Sequence, residues 1–217
     1  MLKPNDEPAP SPVMSFYKDT ILPWLTHLSM QQAQLVPYRT RVVSGATGRV
    51  LEIGIGSGLN LPFYSAAVTQ VLGIEPSPKL LKMARQAGQR SAVSIELIEG
   101  TAGAIPLEKG SVDTVVTTWT MCSIPDIDCA LSEARRVLKT GGRLLFVEHG
   151  RAPEPRVQWW QDHLTPAWKR LSGGCHLNRA IADIIRRNGF HIEEIQVGYL
   201  QGPKAMAFMY EGWASPR

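Results

Sequence analysis

The chain has 217 residues, of which 44% are hydrophobic and 19% are charged, and its formal net charge is +4. This length suits one domain with a sizeable core, and the composition argues against wholesale disorder. No block of Lys or Arg is long enough for a nucleic-acid arm, so we expect no nucleic-acid partner. No apolar run approaches the roughly 18 residues of a membrane-spanning helix. With no secretory signal at its start, the chain is predicted to be cytoplasmic and without stable membrane insertion.

The three cysteines, Cys122, Cys129 and Cys175, are odd in number and irregularly spaced. That pattern argues against a disulfide framework and favours a reducing compartment. Cys175 and His176 are adjacent, and adjacent side chains rarely converge on one ion, so the sequence predicts no metal site. Monomer and homodimer both stay open.

The first 44 residues precede the main domain, which we assign to residues 45–217. Residues 1–12 are rich in proline and predict a disordered tail. Residues 13–44 carry apolar side chains at broadly helical spacing, interrupted by Pro23 and Pro37, and predict two short helices. We expect these helices to form a lid, and their amphipathic character also permits weak association with a membrane surface.

From residue 49 onward, predicted strands and helices alternate. The strands are predicted at 50–54, 70–75, 94–98, 112–117, 143–148, 192–197 and 205–210. The helices are predicted at 76–89, 127–138 and 179–188, with a glycine stop at 139–142. This alternation predicts an α/β fold: a seven-stranded, mostly parallel sheet with helices on both faces. The last two strands lack a helix between them, so the last strand is predicted to run antiparallel.

A glycine loop follows the first predicted strand, and we expect it to open a helix. Gly54, Gly56 and Gly58 alternate there behind Glu52. Glu75 ends the second predicted strand, where a carboxylate can accept hydrogen bonds from both hydroxyls of a ribose. The pattern indicates an adenosine-type cofactor at the carboxyl ends of the strands; the alternative is a structural glycine turn.

The spacing of the glycines disfavours a dinucleotide. In the dinucleotide pattern a third glycine stands three positions after the second, where this chain has Leu59. Glu52 would also face a pyrophosphate unfavourably. An NAD oxidoreductase is therefore disfavoured, and S-adenosylmethionine (SAM), which has an amino group and no phosphates, suits the loop better.

Residues 45–150 resemble the class I SAM-dependent methyltransferases, which implies a Rossmann-like fold and SAM as cofactor. The matching motifs are Val50–Gly58, Glu75, Ile98–Ala102, Leu107–Asp113 and Ala130–Gly142. One departure is Thr101, where the family often carries an aspartate beside the adenine. The cofactor contacts implied are Glu52, Gly54, Gly56, Ser57, Gly58, Asn60, Glu75, Pro76, Ser77, Gly100, Thr101, Ala102, Thr118 and Trp119.

A finer resemblance, to the methyltransferase-like family of alkyl-thiol methyltransferases, lies partly outside this region. It rests on residues 120–124, 147–149, 159–168 and 174–179. It implies a small-molecule acceptor, first of all a thiol or hydrogen sulfide. Methylation of a lipid amine, a quinone precursor or another small nucleophile is the first alternative, and a non-catalytic SAM-binding sensor is the second.

The acceptor side is predicted near the ends of the fourth and fifth strands. Residues 117–120 lack the Asn/Asp-Pro-Pro-aromatic motif of nucleobase and amide methyltransferases. His149 ends the fifth strand and is the candidate general base, because the thiolate is the nucleophile and an imidazole can accept the thiol's proton. The alternative is a histidine that only bonds backbone at a strand end.

Residues 156–178 form an aromatic insertion that we interpret as an acceptor-side lid. The predicted pocket residues are Trp119, Cys122, His149, Trp159, Trp160, His163, Cys175 and Arg179. As alternatives, the tryptophans simply cover the sheet, and Cys122 and Cys175 are small buried hydrophobes.

Overall fold

One seven-stranded sheet organises the chain, with strand order β3-β2-β1-β4-β5-β7-β6. The computed structural model describes residues 16–217, so the tail predicted at 1–12 and residues 13–15 lie outside it. The strands are β1 (Gly48–Ile53), β2 (Val68–Glu75), β3 (Ser94–Glu99), β4 (Val112–Thr118), β5 (Leu138–His149), β6 (Phe190–Tyr199) and β7 (Phe208–Pro216). Strands β1 to β5 pair in parallel, and β7 is antiparallel to both β5 and β6. The predicted α/β architecture is confirmed.

Seven α-helices flank this sheet in the described part of the chain. They are α1 (Leu22–Met30), α2 (Val36–Val43), α3 (Pro78–Gly88), α4 (Ile127–Val137), α5 (Pro155–Leu171), α6 (Ile181–Arg187) and α7 (Lys204–Ala207). Pro23 and Pro37 were predicted to break helices, yet each stands in a first turn, where the missing N–H is not needed. Within residues 16–217 we find no helix with the length and apolar character to cross a bilayer.

The hydrophobic core lies on both faces of the sheet. Side chains alternate along a strand, so Val50 packs on one face while Leu51 and Ile53 pack on the other. The first face is covered from α2 and α3, through residues such as Val43 and Leu81. The second is covered from α4 and α6, which contribute the residues Leu131, Ala134, Ile181 and Ile185. The sheet therefore presents only its strand ends to ligands.

The prediction of a helix directly after the glycine loop is wrong. Only a 3₁₀ turn forms there, at Leu61–Phe63, and Tyr64 is already extended, with φ −69° and ψ 131°. Its hydroxyl then reaches the buried carboxylate of Glu52, 2.7 Å away. The extended backbone at Tyr64 is thus accompanied by a buried hydrogen bond to β1.

Two boundaries near the other strands also differ from the prediction. The glycine stop at 139–142 lies inside β5 as a bulge, because Val112 pairs with Leu138 and Thr114 with Arg143. The last strand was predicted at 205–210, but it runs from Phe208 to Pro216. Residues 204–207 form a helical turn after Pro203 instead, since a proline readily precedes a helix but donates no hydrogen bond to a strand.

The core makes a direct stability prediction. Leu144 is fully buried and Leu171 is 62% exposed. We expect Leu144→Ala to lower the free energy of unfolding by about 2–5 kcal/mol in urea titrations, because it leaves a cavity. The matched change Leu171→Ala should cost less than about 0.5 kcal/mol. Equal losses from both changes would contradict this assignment of the core.

Candidate cofactor and acceptor site

The predicted cofactor residues meet at the carboxyl edge of β1 to β4, as parallel pairing requires. Gly54 and Gly56 have φ values of 71° and 56°, which favour glycine. A Cβ on Gly54 would overlap the side chain of Thr120, so this glycine permits the loop after β4 to approach. A Cβ on Gly56 would meet nothing nearer than 3.9 Å. The loop therefore keeps an open concave surface for a ligand.

Glu75 is fixed at the rim of this surface. Its two carboxylate oxygens accept hydrogen bonds from the backbone N–H of Gly56 at 3.2 Å and of Ser77 at 3.0 Å. Burial raises the pKa of Glu75, and these two N–H groups oppose that rise. A carboxylate oxygen has more than one lone pair, so Glu75 can still accept from ribose hydroxyls. The residue fits the role that the sequence predicted.

Glu52 and Asn60 are engaged by protein groups beneath the loop. Glu52 is 1% exposed and accepts from the Asn60 amide at 2.8 Å and the Tyr64 hydroxyl at 2.7 Å. Burial raises the pKa of Glu52 to about 7, although Tyr64, Asn60 and the nearby Arg39 lower it. Both Glu52 oxygens thus already have donors, so the residue supports the floor of the site.

Arg39 is a site residue that sequence reasoning missed. It is 4% exposed, its Nε donates to Asn60 Oδ1 at 3.0 Å, and its guanidinium lies 4.8 Å from the centroid of the Trp119 ring. Asn60 also donates to the Thr118 hydroxyl at 2.9 Å. One signal in the sequence could have revealed it. Arg39 stands four positions before Val43 and so lies on the same face of the helix, and that face is buried.

The N-terminal helices contact the loop edge. His27 on α1 shares a 2.7 Å hydrogen bond with the Ser57 hydroxyl. Lys79, in the first turn of α3, donates to the carbonyl of Thr20 at 2.7 Å. These contacts place the segment beside the open surface, and its closure as a lid stays a prediction.

The remaining cofactor candidates follow β2, β3 and β4. The N–H of Gly100 donates to the Glu75 carbonyl at 3.2 Å, Ala102 is buried, and Thr101 is exposed. Trp119 has φ 51°, a left-handed conformation that is rare for a bulky residue and typical of strained functional positions. Its N–H donates to the Val147 carbonyl at 2.7 Å, which holds it against β5.

Three acceptor-side candidates converge into what we call the thiol–imidazole cluster: Cys122, His149 and Cys175. The Sγ of Cys175 lies 3.4 Å from Nε2 of His149, and the ligand-type atoms of all three lie within 4.8 Å of one another. All three side chains are buried. They come from the loop after β4, the end of β5 and the segment before α6, so sequence spacing gave no sign of a shared metal-binding geometry.

The cluster polarises its own members. The hydrogen bond from Cys122 lowers the pKa of Cys175, His149 adds to that effect, and burial opposes it. The same bond raises the pKa of Cys122. Burial alone lowers the pKa of His149, but the Cys175 sulfur reverses this and raises it. Cys175 is therefore the member most disposed to be a thiolate.

The other pocket candidates are divided between the cluster and the surface. Arg179 donates to the carbonyls of Met121 and Ile124 and so anchors the loop that carries Cys122. Trp159 and Trp160 are 52% and 55% exposed on the outer face of α5, and Trp159 stacks on the exposed His163. The inner face of α5 instead carries the buried residues Gln161 and Thr165.

Burial of Glu52 predicts a pH dependence of stability. Folding raises the Glu52 pKa from its ordinary 4.5 to about 7, so the folded state holds this proton more tightly than the unfolded state. The contribution of Glu52 is full below its unfolded pKa and is lost as the pH rises through about 7. We expect Glu52→Gln to gain stability relative to the parent chain between pH 5 and 7 in urea titrations, about the range between the two pKa values. Parallel pH profiles would contradict this assignment.

Comparisons with known proteins agree with the geometry. A family described as "Methyltransferase domain" matches residues 51–146. Human thiol S-methyltransferase TMT1B is 35% identical over 145 residues, covering 63% of this chain and 58% of that protein. Human thiol S-methyltransferase TMT1A is 32% identical over 166 residues, covering 74% of this chain and 67% of that protein. The match thus spans about three fifths to two thirds of the length of these relatives.

Solved structures show the same fold. A SAM-dependent methyltransferase of Thermotoga maritima superposes with a TM-score of 0.66 at 23% identity, covering 93% of this chain and 99% of that one. The order of strands, the open glycine loop with Glu75 at its rim and the match to TMT1A converge on one assignment. This chain belongs to the class I SAM-dependent methyltransferases and uses SAM as its methyl donor.

Proposed function

We propose that the methyl acceptor of this enzyme is a small thiol or hydrogen sulfide. The observation that carries this proposal is the extent of the likeness to TMT1A, which covers 166 residues. This length is greater than that of the matched methyltransferase domain, which spans residues 51–146. The likeness therefore includes parts of the chain outside that domain, which are the parts free to select an acceptor.

The thiol–imidazole cluster supports the same acceptor. A single loop joins it to the cofactor surface, because Thr120 packs on Gly54 and Cys122 follows two residues later. SAM, when bound, supplies a methyl group on a positively charged sulfur, so that a thiolate can form the new S–C bond while the old bond's electron pair stays on S-adenosylhomocysteine. The chain must hold the acceptor in line and exclude water.

A thiol acceptor also has to lose its proton. A free thiol has a pKa of about 8.5 and is mostly protonated at neutral pH. His149 lies at the end of β5, next to β4 in the sheet, and belongs to the cluster. We assign the deprotonation of the acceptor to this cluster, with the imidazole of His149 as the group able to accept the proton.

The cofactor assignment predicts a specific loss of SAM affinity. We expect Glu75→Ala to weaken SAM binding by about 1–3 kcal/mol in calorimetric titrations, because it removes a buried acceptor for ribose hydroxyls. Glu96 lies on the neighbouring strand β3, opposite Leu72 of β2, and is exposed. The control Glu96→Ala should bind SAM as the parent chain does. Unchanged affinity in Glu75→Ala would refute the ribose contact.

The acceptor assignment predicts selective turnover. We expect release of S-adenosylhomocysteine from SAM with sulfide and small alkyl thiols, and product analysis should find methanethiol from sulfide and the matching thioether from each alkyl thiol. Amines, lipid amines and phenolic quinone precursors serve as the comparison panel, and Glu75→Ala reports the background. Turnover with an amine or phenol but no thiol would overturn the proposal. SAM binding without turnover of any acceptor would favour a non-catalytic sensor.

A further inference from the structure

We propose that Cys122, His149 and Cys175 form a Zn²⁺ site whose fourth coordination position takes the sulfur of the acceptor. This inference rests on the proposed thiol acceptor and gives that proposal a specific chemistry. It reassigns His149 from proton acceptor to metal ligand.

The spacing of the three ligand atoms suits this ion. With Zn–S near 2.3 Å and Zn–N near 2.0–2.1 Å, tetrahedral geometry separates neighbouring ligand atoms by about 3.5–3.8 Å. The Cys175 Sγ to His149 Nε2 distance is 3.4 Å, and no pair in the cluster exceeds 4.8 Å. A side-chain adjustment of about 1 Å at Cys122 is therefore enough to enclose the ion.

The number and type of ligands indicate an open site. Two sulfurs and one imidazole nitrogen make up one of the donor sets of catalytic zinc sites, whereas structural sites close the ion with four protein ligands. Among residues 16–217, no fourth His, Cys, Asp or Glu joins this group. The vacant position is the one that a small sulfur ligand would occupy.

The scaffold holds each ligand before the metal arrives. Arg179 donates hydrogen bonds to the Met121 and Ile124 carbonyls and so holds the loop that carries Cys122. The N–H of His176 donates to the Cys122 carbonyl at 2.9 Å, which ties the Cys175 segment to the same loop. His149 is fixed by the pairing of β5 with β7, where it lies opposite Met209. Ligands held in this way lose little entropy on binding an ion.

A buried carboxylate beside the cluster is a second observation. Glu148 is fully buried, its Oε1 accepts from the N–H of Thr120 at 3.0 Å, and the Met121 N–H and the Thr117 hydroxyl also interact with the carboxylate. It interacts electrostatically with Cys122 and His149. A buried carboxylate is costly to keep charged even with hydrogen-bond donors, and a divalent cation held in the cluster would offset part of that cost.

Bound Zn²⁺ would favour the deprotonated form of the acceptor thiol. As the acceptor sulfur binds Zn²⁺, its S–H bond breaks and the proton leaves to water, because a coordinating thiol is deprotonated by the ion. The bound sulfur retains a lone pair for the methyl carbon, whose bond to the sulfonium breaks at the same time. An alkyl thiol gives a neutral thioether, a weaker ligand that leaves the site, whereas hydrogen sulfide gives methanethiol, which leaves after its sulfur takes up a proton from water. The Arg179 guanidinium interacts electrostatically with Cys122 and Cys175 and would offset part of the negative charge of their thiolates.

The test measures metal on the full chain, purified under reducing conditions. We expect about one zinc per chain by mass spectrometry of the metal content. After removal by a chelator, Co²⁺ should restore an absorption band typical of thiolate-to-cobalt charge transfer. Cys175→Ser and His149→Ala should lose that band, and Cys129→Ser, which changes an exposed cysteine outside the cluster, should keep it.

The cobalt spectrum of the parent chain decides the question even if a variant fails to fold. A chain that binds SAM but takes up neither zinc nor cobalt would overturn the site, as would a Cys122–Cys175 disulfide under these conditions. Undiminished turnover of thiols by the metal-free enzyme would also overturn it, yet leave the proposed function standing. Zinc uptake would support the site. A cobalt spectrum that changes when a small thiol is added would support the open fourth position.

Discussion

The parallel pairing of β1 with its neighbours β2 and β4 is the constraint on which the site depends. Parallel strands end at the same edge, so the residues that follow them are delivered to one place from distant parts of the sequence. Glu75 from β2, the glycine loop from β1 and Trp119 from β4 meet for this reason. Gly54 then lets the loop after β4 come close, and that approach carries Cys122 towards His149 at the end of β5.

Buried polar groups stabilise this edge from below. Arg39 bonds Asn60, and Asn60 in turn bonds Glu52 on β1 and Thr118 on β4. Each of these groups has given up water, so each depends on its partners to offset the cost of burial. Because Arg39 belongs to α2, the N-terminal helices are coupled to the floor of the cofactor surface. A segment outside the matched domain at 51–146 therefore contacts the candidate cofactor surface.

The sequence predicted the features that depend on local pattern. Strand periodicity correctly predicted the five parallel strands, and the glycine loop with Glu75 at the next strand end predicted a cofactor surface at their carboxyl edge, because both signals are short in range. Contacts between residues that are distant in the sequence could not be predicted from it. The cluster joins Cys122, His149 and Cys175 across separate elements, and only the folded chain reveals their distances.

Helix orientation also could not be predicted from composition. The aromatic residues of α5 suggested a lid over the acceptor, yet Trp159 and Trp160 face outward. The opposite face carries the buried Gln161, whose amide donates to the Gly150 carbonyl and accepts from the Ala152 N–H. A buried polar residue among aromatic ones gives no periodic apolar pattern from which the orientation of the helix could be predicted.

A crystal structure of the chain with S-adenosylhomocysteine and a small thiol tests the cofactor and acceptor assignments together. We predict the ribose hydroxyls on the Glu75 carboxylate, with the homocysteine sulfur and the thiol both directed towards Cys122, His149 and Cys175. A homocysteine sulfur walled off from that cluster by protein, or a ribose away from Glu75, would contradict these assignments.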